Sequence, residues 1–126
     1  GSDPYIEVYN CTISGNFQHG IYSSYNSLLR VTDTIIANNS GWGIYAEANS
    51  AQYLEYIGFY GNSSGTYNYS ANPGTGILYS NPRFVSGQYG SNYLSHTSPI
   101  SPCIDAGSMS SSLREVDSLT TDPDGT

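Results

Sequence analysis

The sequence has no lysine and only three arginines, Arg30, Arg83 and Arg114, set far apart along the chain. Against ten acidic residues they leave a net charge of −7. Nucleic acid and anionic membrane surfaces both call for clustered Lys and Arg, so neither is expected as a partner. No apolar run reaches the roughly 18 residues of a membrane-spanning helix, so membrane insertion is not expected either. No secretory leader pattern is visible. Charged residues are 10% of the chain, so its polarity rests on Ser, Thr, Asn and Gly. Methionine and tryptophan occur once each, whereas tyrosine occurs 13 times. A composition so rich in uncharged polar residues and tyrosine is associated with secreted and carbohydrate-facing proteins.

Cysteine is scarce as well. Cys11 and Cys103 could pair on count alone. Each lies in an apolar pattern, before Ile13 and Ile104, where a free cysteine acts as a small hydrophobe.

What the chain does have is an internal repeat. Residues 5–27, 28–50 and 51–73 align as consecutive blocks of 23 residues without a gap. Val8, Val31 and Leu54 share a column, as do Ile13, Ile36 and Phe59, and Ile21, Ile44 and Tyr67. Asn16, Asn39 and Asn62 form an unbroken column, and Asn26, Asn49 and Asn72 a second. Each block holds short stretches of Ile, Val, Tyr and Thr, which favour strand, separated by Gly, Asn and Ser, which favour turns. No block carries the i, i+3, i+4, i+7 apolar spacing of a helix. A period of 23 is too short for a propeller blade and lacks the leucine-rich pattern.

A coil of three short strands and three bends fits this period. Each strand then pairs in parallel with its equivalent in the next coil, about 4.8 Å away. The aliphatic columns point inward, each buried side chain contributing roughly 1.5–3 kcal/mol. Both asparagine columns are expected at bends, where Asn tolerates left-handed backbone and stacked amides can bond along the ladder. Terminal coils need covering, and the first coil begins almost at residue 1. Its open edge calls for upstream coils or another protein chain as a partner. A fourth coil is expected through Ile77-Leu78-Tyr79 and Phe84-Val85, before a Ser-, Pro- and Gly-rich closing segment.

That closing segment carries a resemblance. Asn81-Pro82-x-Phe84-Val85, then Tyr93-Leu94, then Ser101-Pro102-Cys103-Ile104-Asp105-Ala106-Gly107 resembles the C-terminal end of bacterial right-handed parallel β-helix repeat proteins. These are pectate-lyase-like in fold and often surface-anchored. The resemblance implies an all-β fold: a right-handed parallel β-helix, or solenoid, of about four coils of ~23 residues plus an irregular C-terminal cap, in one domain spanning 1–126. In that group a run similar to Thr121-Asp122-Pro123-Asp124-Gly125-Thr126 precedes a final strand. The chain is therefore expected to be a piece of a longer protein. Cys103 stands where the group usually has a small residue, which implies a packing role. Three coil steps between Cys11 and Cys103 span roughly 14 Å, too far for a disulfide unless the tail folds back.

The chemistry that such folds can carry is hard to find in this chain. Lyase chemistry of the group implies a carboxylate cluster for calcium and an Arg or Lys base. Arg30 falls opposite Glu7 and Tyr53, and reads as a surface residue. Gln18-His19-Gly20 resembles the Gly-His-Gly of related pectin hydrolases, but His19 aligns with Trp42 and Gly65 in an ordinary loop slot. Asp33 aligns with Asn10 and Tyr56, so no second aspartate flanks it as paired-carboxylate hydrolysis would require. His96 belongs to the closing segment and stands out in no way.

Asp117, Asp122 and Asp124 are the candidate calcium ligands, because Asp-x-Asp-Gly resembles part of a calcium loop. A plain β-turn is the stronger reading there, and no cofactor is otherwise expected. Asp105 is expected to cap local backbone N–H groups. Trp42, Tyr22 and Tyr45 are the candidate ligand-binding residues, able to stack on sugar rings if they share an outer face; stiffening of the coil is the plainer role. Asn16, Asn39 and Asn62 are the expected structural ladder. The favoured function is a non-catalytic, secreted or bacterial cell-surface module for binding or display, with polysaccharide as partner. The alternatives are a piece of a polysaccharide-degrading enzyme with catalytic coils upstream, and a structural stalk docking through its first coil.

Overall fold

A computed structural model describes residues 4–69, 73–87 and 90–108. Among these there are nine strands and no helix. The first repeat supplies β1 (Tyr5–Tyr9), β2 (Thr12–Ser14) and β3 (Ile21–Ser23). The second supplies β4 (Leu28–Ala37) and β5 (Trp42–Ala46), the third β6 (Ala51–Tyr60) and β7 (Gly65–Tyr67). After the repeats come β8 (Phe84–Gly87) and β9 (Gly90–Leu94).

The 23-residue period is also the pairing register. β1 and β2 lie end to end along one side of β4, and β6 lies along the other. All these pairings are parallel, as in Val8↔Val31↔Leu54 and Ile13↔Ile36↔Phe59. A second sheet, β3-β5-β7, pairs Ile21↔Ile44↔Tyr67. The core is the inward side of these columns: Leu29, Val31, Ile36, Ile44, Leu54, Ile57 and Phe59 are all at most 1% exposed. Toward the third repeat the filling turns aromatic. Phe59 meets Tyr67 edge to face at 5.8 Å and Tyr79 at 6.3 Å.

The bends recur in columns too. Asn10, Asp33 and Tyr56 adopt left-handed backbone, as do Gly15, Asn38 and Gly61, and Asn26 and Asn49. At Asp33 this shifts which side chains point inward. Leu29 and Val31 are buried before it, Thr34 and Ile36 after it, so the two-residue alternation slips by one. Both asparagine columns thus lie at bends between strands, but asparagine is itself the left-handed residue only at Asn26 and Asn49 and not in the other column. There the left-handed residue comes one position earlier, at 15, 38 and 61, and Asn16, Asn39 and Asn62 build the ladder itself. Asn72 lies outside the described residues.

In that ladder the amide oxygens of Asn39 and Asn62 each receive two donors from the repeat before. Asn39 Oδ1 accepts from the backbone N–H and Nδ2 of Asn16 at 3.0 and 2.8 Å. Asn62 Oδ1 accepts from Asn39 in the same way, at 3.1 and 2.9 Å. Nδ2 of Asn39 and of Asn62 also donates to a backbone carbonyl, of Ile13 and Ile36 respectively.

Beyond the third repeat the parallel pairing continues only as a single bridge. Leu78 bridges Gly58 in parallel, and the offset falls from 23 to 20 residues. Phe84 and Val85 do not continue it. They lie in β8, which pairs antiparallel with β9. Two residues separate these strands, and a parallel return needs a dozen or more.

The closing segment then turns back along the repeats. Asn92 Nδ2 donates to Ser14 Oγ at 2.9 Å, in the first repeat. Ser108 donates its N–H and its hydroxyl to the two carboxylate oxygens of Asp33, both at 2.6 Å, in the second. Cys103 Sγ sits against Gly58, where an added Cβ would stand 3.2 Å from it. The missing side chain at Gly58, in the column of Thr12 and Ile35, thus makes room for Cys103. Burial raises the Cys103 thiol pKa. Because of this fold-back both cysteines line one open cavity of about 290 Å³, and both are free.

One inward position leaves a buried polar atom unpaired among the described residues. Gln52 continues the Ile6–Leu29 column, and its buried Oε1 has no partner among the described residues. An unsatisfied buried oxygen costs about 1–3 kcal/mol. Gln52→Leu is therefore expected to raise the unfolding free energy by about 1–2 kcal/mol in urea titration.

Candidate binding faces

Outward positions of the same strands carry the exposed tyrosines. On the β1-β4-β6 sheet the outer face presents Tyr5, Tyr9 and Tyr53, at 50%, 40% and 55% exposure. Parallel register sets Glu7 beside Arg30, and Arg30 beside Tyr53. The Arg30 guanidinium lies 5.5 Å from the centre of the Tyr53 ring, a cation–π distance. Hydrogen bonds from Tyr5 and then Tyr9 hold the Glu7 carboxyl below its ordinary range, with the Arg30 charge adding to the effect. The same bonds raise the phenol pKa of both tyrosines. Arg30, Thr32, Tyr53 and Glu55 border a shallow groove of about 140 Å³ on this face. Sequence reading placed Arg30 opposite Glu7 and Tyr53 but missed the tyrosines around Glu7. Their signal was the i, i+2 spacing within one strand.

The β3-β5-β7 sheet carries a second aromatic group. Tyr22 and Tyr45 stack with centroids 5.5 Å apart and planes 6° from parallel. His19 joins them, 4.6 Å from Tyr45. Its Nδ1 accepts the Trp42 backbone N–H at 3.0 Å, so the proton of the neutral ring sits on Nε2. Tyr22 remains 51% exposed. Trp42 is placed differently. Its ring covers Gly65 of the next repeat, where an added Cβ would stand 2.6 Å from it. The structure thus brings together Tyr22 and Tyr45, adds His19, and directs the Trp42 ring along the stack.

Tyr67 and Tyr79 share a hydroxyl contact of 3.3 Å, and burial followed by that contact pushes Tyr67 up to about 12. Asp105 adopts left-handed backbone in an exposed turn. His96 is half-buried in the closing segment. Asp117, Asp122 and Asp124 lie outside the described residues. Among the described residues no three His, Cys, Asp or Glu side chains gather as a metal site would require.

Comparison with known proteins adds one finding. A family model described as the right-handed beta helix region matches residues 2–98. No curated protein and no solved structure matches the chain.

Proposed function

The chain belongs to the right-handed beta helix family, and on that premise we propose that it is a non-catalytic extracellular module that holds neutral polysaccharide. In this reading the 23-residue repeats are coils of a pectate-lyase-like solenoid, secreted or carried on a bacterial surface. Residues 74–79 form a reduced fourth coil, and the rest is an irregular closing segment. One observation carries the ligand class. Tyr5, Tyr9 and Tyr53 expose apolar rings on one outer face, interleaved with the Glu7 carboxylate and the Arg30 guanidinium. A sugar offers C–H faces to such rings and hydroxyls to such polar groups. The net charge of −7 disfavours polyanionic chains at long range.

Affinity electrophoresis through gels containing neutral glucans, mannans or xylans tests this. Retardation is expected in at least one gel. A Tyr5→Ala/Tyr53→Ala double variant should weaken it about tenfold, as the loss of two ring contacts would. A Tyr22→Ala/Tyr45→Ala variant, on the other sheet, should retain it. Absence of retardation by every polysaccharide overturns the ligand class. Release of reducing ends or unsaturated sugars overturns the non-catalytic reading.

A further inference from the structure

Among the described residues, one pair of tyrosines meets hydroxyl to hydroxyl. Tyr67 ends β7, and Tyr79 follows the bridge between Leu78 and Gly58. Their oxygens lie 3.3 Å apart, although the residues are 12 positions apart in the chain. Phe59 flanks both rings, meeting Tyr67 edge to face at 5.8 Å and Tyr79 at 6.3 Å with planes 20° apart. Backbone bonds from Phe59 to Leu78 and from Leu78 to Ile57 fix the chain beside Tyr79. Tyr79 is 56% exposed and Tyr67 is half-buried, so an oxidant in solution reaches the pair.

Phenols so placed are set up for one reaction. A phenol that loses an electron and its proton becomes a phenoxyl radical. The unpaired electron is shared by the oxygen and the two ring carbons that flank the C–O carbon. Two such radicals couple through those carbons. Each ring then regains aromaticity by passing the hydrogen of its joined carbon to its oxygen. In the product the two hydroxyls stand side by side, within hydrogen-bonding reach of each other. Tyr67 and Tyr79 already hold their hydroxyls in this relation. Tyr22 and Tyr45 do not. They lie face to face, with centroids 5.5 Å apart and planes 6° from parallel, so coupling would first have to turn both rings out of the stack.

We infer that Tyr67 and Tyr79 form a site of oxidative cross-linking, where hydrogen peroxide, acting through a one-electron catalyst of the haem peroxidase class, joins the two rings by a carbon–carbon bond. Each tyrosine gives up one electron and one proton. One peroxide takes up both electrons and both protons and leaves as two waters. The new bond closes a short loop and pins residues 73–79 onto the third repeat. It does not depend on the ligand class proposed above, since neither tyrosine belongs to the Tyr5, Tyr9 and Tyr53 face.

The test treats dilute chain with a haem peroxidase and limiting hydrogen peroxide. The expected product is a monomer lighter by two hydrogens, with the peptides of Tyr67 and Tyr79 joined and with the blue fluorescence of a linked biphenol. Tyr67→Phe and Tyr79→Phe keep the packing on Phe59 but have no phenolic hydrogen to lose, and each should lower the yield of linked monomer at least about tenfold. A Tyr22→Phe/Tyr45→Phe variant should leave that yield unchanged. In the linked chain, exchange at the Leu78 amide should slow about 100-fold, as a covalent closure of a loop of this length would predict. The inference is overturned if the loss of two hydrogens maps to another pair of tyrosines, or if coupling occurs only between chains. It is also overturned if either single phenylalanine variant forms the linked monomer as well as the parent does, or if the exposed tyrosines gain oxygen while no pair couples.

Discussion

Replacing Phe59 with alanine should lower the unfolding free energy by about 3–5 kcal/mol, the range for deleting a buried aromatic ring. The ring is 1% exposed and fills the column continued from Ile13 and Ile36. It also joins two parts of the chain, since Tyr67 packs on it edge to face and Tyr79 lies nearly parallel to it. Removing it opens a cavity and detaches the aromatic partner that residues 73–79 bring to the third repeat. The loss should therefore be accompanied by faster amide exchange at Leu78, which bonds to Ile57 beside it. Urea titration measures the first effect and hydrogen exchange the second. Phe17 supplies the contrast. It is 95% exposed, and Phe17→Ala should fall within about 0.5 kcal/mol of the parent. A loss below about 1 kcal/mol for Phe59→Ala would show that the third repeat is not packed around this ring.

The second large effect is expected at Asn39. Asn39→Leu keeps the volume but removes an acceptor of two hydrogen bonds and a donor of two more. The residue is 1% exposed, so little water can replace these partners. Each buried group left unpaired costs about 1–3 kcal/mol, and Asn16 can partly rehydrate at its exposed position, which places the total near 3 kcal/mol. Asn16→Leu should cost about 1 kcal/mol, because that rung makes fewer bonds and is open to water. The ordering, Asn39 well above Asn16, is the discriminating result. Equal losses at the two positions would mean that the amides act one by one and not as a ladder.

The repeats were legible because parallel in-register pairing gives every residue of a column the same surroundings. Val8, Val31 and Leu54 look alike in sequence because they meet the same neighbours. The two asparagine columns looked alike as well, yet serve different ends. An amide side chain suits both left-handed backbone and ladder bonding, and composition alone does not separate these uses. Glycine at 15 and 61 was the readable sign that the bend falls one residue before the ladder. Tyr56 carried no such sign, since a bulky residue at positive φ runs against local preference.

Columns also carry no information about what lies outside the repeat. The antiparallel turn of Phe84 and Val85 onto β9 follows from a short connection, not from a shared pattern. The seat of Cys103 on Gly58 could be read only as two separate oddities, a glycine inside a strand and a cysteine where a small residue was expected. On the outer faces, the strand alternation exposed Tyr5, Tyr9 and Tyr53, but only the register placed them beside Glu7 and Arg30. Trp42 shows the limit of column reasoning. Its ring lies along the stack, over the glycine that replaces it in the next repeat.

The bond between Ser108 and Asp33 has a bearing on how the chain reaches this state. A pure array of repeats folds through neighbours alone, and its stability can be lost piecemeal from either end. Here residues 75 positions apart close a loop across the second repeat, and Asn92 and Ser14 close another across 78. Such closures raise the contact order, which slows folding. They also mean that Asp33 waits for its partner until 75 further residues have been made. The closing segment is thus a clasp that fastens only after the repeats it spans, and it links the first and second repeats to residues that follow the third.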